Sequence, residues 1–155
     1  MDTTVTLRTG DPAPDFLLRD HSNRPVRLSD HLGKRVLLSW HPLAWTNICA
    51  DQMKALEAAR DELEELNTVA IGLSVDTVPS KSAWAKKLGI EHTPLLSDFW
   101  PHGEIARGYG IFLEEKGFSA RANFIVSESG GLVFIKMYEI PELPDLAEVL
   151  AALRG

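Results

Sequence analysis

An apolar run, Val36-Leu37-Leu38-Ser39-Trp40, leads through a short polar and aromatic stretch to Cys49, the only cysteine in the chain. A long amphipathic segment follows. The run predicts a buried strand and the segment predicts a helix. Cys49, Met53, Leu56, Ala59, Leu63 and Leu66 recur at steps of three and four and so share one helix face. Asp51, Lys54, Arg60, Asp61, Glu64 and Glu65 fall largely on the other. Strand, loop and helix together put Cys49 at a helix N-terminus or one turn inside it. Unpaired backbone N–H groups and the positive end of the helix dipole stabilise negative charge there. A thiol so placed loses its proton more readily than a free one. Free cysteines are more often buried as small hydrophobes, and apolar burial opposes ionisation. A reactive Cys49 on this face therefore needs polar neighbours.

The rest of the chain alternates strands and helices. Val5 and Leu7 suggest a short first strand, and Phe16-Leu17-Leu18 and Val26-Arg27-Leu28 suggest edge strands about a turn at residues 21–24. Ser29 to Gly33 reads as one helical turn, and the central strand spans Arg35 to Trp40. Thr68 to Val75 is a continuous apolar strand ending at Asp76. Pro79-Ser80 opens a helix to Leu88 that stops at Gly89. Leu95-Leu96 suggests a strand and Trp100 to Arg107 a helix; residues 124–126 and 132–135 form a hairpin, and Leu143 to Leu153 is a closing helix. This order predicts an α/β fold with a mixed central sheet flanked by helices, in one domain over residues 1–155.

Charge and patterning exclude several classes of function. The formal net charge of −6, with no basic stripe, argues against a nucleic-acid partner. No apolar run approaches the ~20 residues that span a bilayer, and the N-terminus does not read as a secretory signal. A chain with one cysteine fits a reducing cytoplasm. Its five histidines show no metal-ligand spacing, and Gly108-Tyr109-Gly110 lacks the third glycine of a dinucleotide loop. Neither a metal nor a cofactor is expected.

Pro42, Thr46 and Cys49 form the pattern P-x-x-x-T-x-x-C. This resembles the active-site signature of the peroxiredoxins, thiol peroxidases on a thioredoxin-like fold. The resemblance extends through Gly10 to Phe16, Leu28-Ser29-Asp30 with Gly33-Lys34, Ser97 to Gly103 and Arg107 to Gly110. It reaches a second segment, Arg121 to Val126, in which an arginine leads into a strand. With the short C-terminus, the chain looks most like one-cysteine peroxiredoxins of the alkyl hydroperoxide reductase E type. The resemblance implies that Cys49 attacks a peroxide, hydrogen peroxide or an organic hydroperoxide, and becomes a sulfenic acid. It implies that Thr46 and the amides around Thr46 and Cys49 orient the peroxide. Arg121 would stabilise the thiolate and the leaving oxygen, and Pro42 would cover the sulfur. It also implies a homodimer with Trp45, Trp84 and Trp100 in interface segments.

Two positions depart from the family pattern. Gln52 stands where glutamate is common, so Arg121 meets a neutral acceptor and is expected to be held less firmly; Ser127 stands where aspartate is common. His41 is a supporting candidate, or a packed ring. Because there is no second cysteine, the sulfenic acid must be reduced by an external thiol or redoxin. A dithiol oxidoreductase would need C-x-x-C, which Gln52 breaks. The remaining alternative is a non-enzymatic thioredoxin-like binding or chaperone module.

Overall fold

Side chains of an extended run point alternately to two faces, and the central strand uses both. The computed structural model describes residues 6–155. In chain order its strands and helices are β1 (Leu17–Asp20), β2 (Pro25–Arg27), β3 (Arg35–Trp40), α1 (Asn47–Ala58), α2 (Arg60–Glu65), β4 (Thr68–Ser74), α3 (Val78–Leu88), β5 (Leu95–Ser97), α4 (Glu104–Gly108), β6 (Phe112–Leu113), β7 (Phe118–Ser119), β8 (Arg121–Val126), β9 (Leu132–Tyr138) and α5 (Leu146–Arg154). Seven strands form one sheet in the order β2-β1-β5-β4-β3-β8-β9. β3 pairs in parallel with β4, and β4 with β5. The other pairings are antiparallel, so the sheet is mixed.

Val36, Leu38 and Trp40 of β3 join Ile71, Leu73, Tyr109 and Phe124 in the core on one face. Leu37 joins Met53, Leu56, Leu63, Trp84 and Val149 on the other, where α1, α2, α3 and α5 pack. Ser39 shares the face of Leu37, and it meets α1 through Gln52. Cys49 lies in the same layer, fully buried. Gly72 of β4 makes the close approach of α1 possible. A Cβ there would sit 2.4 Å from Met53 Sδ and 2.8 Å from Leu95 Cδ2.

Element boundaries differ from expectation where proline or a shared turn intervenes. The helix expected through Leu66 breaks at Ala59, whose N–H is shared between the carbonyls of Ala55 and Leu56. The helix expected from Trp100 starts at Glu104, after a turn containing Pro101, with Asp98 accepting the N–H groups of Ile105 and Ala106. Burial pushes Asp98 up to about 6, although those two N–H groups oppose the shift. The last helix begins at Leu146 rather than Leu143 because Pro144 precedes its cap, Asp145. The turn expected at residues 29–33 is a 3₁₀ turn over Leu28–His31. The first strand expected at Val5 and Leu7 lies partly outside the described residues, and Leu7 itself is in irregular backbone.

Candidate active site

The loop between β3 and α1 must turn sharply, and Trp45 takes the turn in the left-handed region at φ +70°. That conformation costs a non-glycine residue roughly 1–2 kcal/mol. Two tethers hold it. The Ala44 N–H donates to Asp76 Oδ2 (2.8 Å), just beyond the end of β4, and Trp45 Nε1 donates to Ser80 Oγ (3.0 Å) in α3. Thr46 then occupies the N-cap position with extended backbone. Its hydroxyl does not cap the helix; it donates backward to the Leu43 carbonyl (2.9 Å). With that proton committed, the outward lone pairs of Oγ1 are left to accept a hydrogen bond. Ala50 N–H makes the first bond of the helix, to Thr46 O (2.9 Å). The amides of Asn47, Ile48 and Cys49 precede that ladder and point to the helix entrance as unpaired donors.

Arg121, the first residue of β8, reaches Cys49 across the sheet. Its Nη1 stands 3.3 Å from Cys49 Sγ and 2.7 Å from Gln52 Oε1. Nε and Nη2 both donate to the Ile140 carbonyl, at 3.0 and 2.6 Å. The guanidinium is 2% exposed, so all of its water is replaced by these acceptors. Gln52 is held in turn by its amide nitrogen, which donates to Ser39 Oγ (2.7 Å) and Trp40 O (3.2 Å). A carboxylate could not donate to either. The glutamine therefore holds the arginine firmly without neutralising it, and the sulfur is the group in direct contact with an uncompensated buried cation.

A second buried cation was not singled out by the sequence reading. Lys81 of α3 is fully buried and donates to Ser74 Oγ (2.6 Å) and to His41 Nε2 (2.9 Å). Ser74 donates to Asp76 Oδ2 (2.5 Å), the carboxylate oxygen that also holds the Ala44 amide. With Nε2 accepting, the proton of His41 sits on Nδ1, which has no partner among the described residues. Burial, reinforced by the Lys81 ammonium, keeps the imidazole neutral with its pKa well below the usual histidine value. Burial also lowers Lys81 to about 7, while Asp76 and Cys49 act in the opposite direction. The signal for this residue lay in spacing. Lys81, Trp84 and Ala85 share one helix face, and the other two are core residues.

The sequence-predicted residues fall into one neighbourhood. Arg121 touches both Cys49 and Gln52, and Thr46 stands three residues before Cys49 at the helix entrance. Pro42 is buried at the start of the loop, with no N–H to donate. His41 is a packed ring against Trp84 (centroids 5.4 Å apart) that also accepts from Lys81. Trp45 and Trp100 are exposed, but Trp84, grouped with them for an interface, is core.

Such an arrangement offers a sulfur nucleophile together with a cation, amide donors and a hydroxyl acceptor. The model of the AhpC/TSA family matches residues 9–135. The chain is 40% identical over 151 residues to alkyl hydroperoxide reductase E of Mycobacterium tuberculosis, covering 95% of this chain and 98% of that protein. It is 36% identical over 156 residues to peroxiredoxin-1 of Gekko japonicus, covering 94% and 77%. Among solved structures, the reduced 2-Cys peroxiredoxin of Plasmodium vivax superposes with a TM-score of 0.85 at 28% identity, over 94% of this chain and 80% of that one. AhpC of Enterococcus faecalis superposes equally well at 26% identity, over 94% and 90%.

Proposed function

The chain belongs to the AhpC/TSA family, the peroxiredoxins, and on that premise we propose that Cys49 is its peroxide-reducing nucleophile, with Thr46, Arg121 and Pro42 completing the site. The protein is a thiol-dependent peroxidase on a thioredoxin-like fold. The observation that carries the assignment of residues is the contact of Arg121 Nη1 with Cys49 Sγ at the start of α1.

The thiolate attacks the distal oxygen of hydrogen peroxide or an organic hydroperoxide in line with the O–O bond. A sulfur–oxygen bond forms, the O–O bond breaks, and Cys49 becomes a sulfenic acid. The leaving oxygen departs with the electron pair and takes a proton, giving water or an alcohol. Thr46 Oγ1 accepts from the peroxide hydroxyl, because its own proton is bound to Leu43 O. The amides at the helix entrance and Arg121 donate to the oxygen on which charge builds. Pro42 walls the sulfur on the loop side without offering a competing donor. An external thiol or redoxin then attacks the sulfenic acid, releasing water and leaving a mixed disulfide that a second thiol reduces. The chain offers no second cysteine to do this internally.

Two further readings accompany this one. We place the enzyme in the cytoplasm, on its single unpaired cysteine. We also assign a homodimer, supported by the aromatic side chains of Trp45, Phe99 and Trp100, exposed beside the active-site loop and the β5–α4 connection.

Stopped-flow tryptophan fluorescence of the reduced protein tests the assignment. Hydrogen peroxide and an organic hydroperoxide should each give a concentration-dependent oxidation phase, which is lost in Cys49→Ser. A holdase activity that survives in Cys49→Ser, with no peroxide consumed by the wild type, would favour a non-enzymatic module instead.

A further inference from the structure

We propose that Lys81 is a positioning residue for the peroxidase reaction, holding the loop that carries Pro42 and Thr46 at two points, through His41 and through Ser74 with Asp76. The inference rests on Cys49 being the nucleophile. One tether is the bond from Lys81 Nζ to the His41 ring, immediately before Pro42. The other runs from Nζ to Ser74 Oγ, from Ser74 to Asp76 Oδ2, and from that oxygen to the Ala44 N–H. Between these two points the chain makes the strained turn at Trp45 that delivers Thr46 to the helix entrance.

No exposed lysine could serve in this way. A buried ammonium without partners is expelled or neutralised, so its burial must be supported by acceptors. Here they are a ring nitrogen and a hydroxyl whose own proton is pinned by a carboxylate. The charged and titratable groups facing Lys81 come from four directions: His41 after β3, Asp76 after β4, Cys49 on α1, and His21 after β1. Arg121 acts on the same neighbourhood through His41. Asp76 favours the protonated ammonium. Lys81 thus supports the geometry of the loop.

The test compares wild type with Lys81→Met, which keeps the buried chain length and removes the ammonium. Two rates are read at pH 6: alkylation of Cys49 by iodoacetamide and oxidation by hydrogen peroxide. Oxidation should fall about tenfold, because Thr46 is no longer held at the helix entrance, and alkylation, which needs no oriented peroxide, should fall less. The ¹⁵N spectrum of His41 should lose the signature of an Nε2 that accepts a hydrogen bond. Unchanged rates in a folded variant would overturn the proposal. The second variant is Ser74→Ala, which cuts the tether to Asp76 and leaves Lys81 in place. Oxidation should again slow, with the His41 signature retained. Oxidation at the wild-type rate would overturn the role of this tether. A wild type that is alkylated but consumes no peroxide would refute the peroxidase reading. A wild type that consumes peroxide no faster than Lys81→Met would refute the role of Lys81 alone.

Discussion

The two sides of Cys49 both hold a buried cation, and they hold it by different means. On the β8 side, Arg121 is fixed by a backbone carbonyl, which accepts twice, and by the neutral amide of Gln52. Its charge is permanent and stands against the sulfur. On the α3 side, Lys81 is fixed by a ring nitrogen and a serine–carboxylate pair, and burial brings it down to about 7. Its charge changes within the physiological range. One side supplies a constant field at the reacting atom, and the other supplies support that depends on protonation and acts through the loop. Proximity to the sulfur is the difference that matters: the arginine should dominate the chemistry and the lysine should modulate it.

The largest effect should come from breaking the arginine side. Arg121→Ala removes a donor to both the thiolate and the leaving oxygen, and should slow oxidation by hydrogen peroxide about 10²–10³-fold in stopped-flow measurements. Next comes Gln52→Glu, which brings a charge against the arginine. The new oxygen faces the Trp40 carbonyl across the 3.2 Å that an amide now bridges. Oxidation should slow by about tenfold, with a loss of about 1–3 kcal/mol in urea unfolding from the bonds that a carboxylate cannot make. Equal rates and equal stability would mean that the neutral partner is incidental.

These two predictions also mark how much was legible in the sequence. The central strand was read with the bounds that the structure gives it, because a run from Arg35 to Trp40 that is apolar on both faces has few other uses. Cys49, Thr46 and Arg121 were legible because their spacing and order carry chemistry. The donors of Gln52 were not, since only the fold sets Ser39 Oγ and the Trp40 carbonyl before its amide. The burial of Lys81 was not legible from its residue type, although it shares a face with Trp84 and Ala85. The two-residue strands β6 and β7 went unread because so short a pair has no periodicity to detect. Pro101 and Pro144 shifted two helix starts by several residues, as proline near a helix entrance does.

Smaller effects sharpen the lysine side. Gly72→Ala should destabilise the protein by about 1–3 kcal/mol in thermal or urea unfolding, because the added methyl meets Met53 and Leu95 beneath α1. The same methyl would lie 3.5 Å from His41 Cε1, an ordinary contact, so the Lys81–His41 bond should survive the change. The smallest effect is in pH. Burial lowers folded Lys81 to about 7, and unfolding returns it toward the usual lysine value of 10.5. Between those values the unfolded state binds the extra proton, so stability should rise with pH through this window. Urea midpoints at pH 7 and pH 9 should show the rise in wild type, and a flatter response in Lys81→Met.

The central claim is that one sulfur carries the oxidation and an outside thiol must return it. Mass spectrometry after one equivalent of hydrogen peroxide tests it most directly. The reduced protein should gain one oxygen, located on Cys49, and an added small thiol should convert that species to a mixed disulfide at the same residue. Oxygen found elsewhere with Cys49 unmodified, or peroxide turnover sustained with no thiol present, would contradict the account.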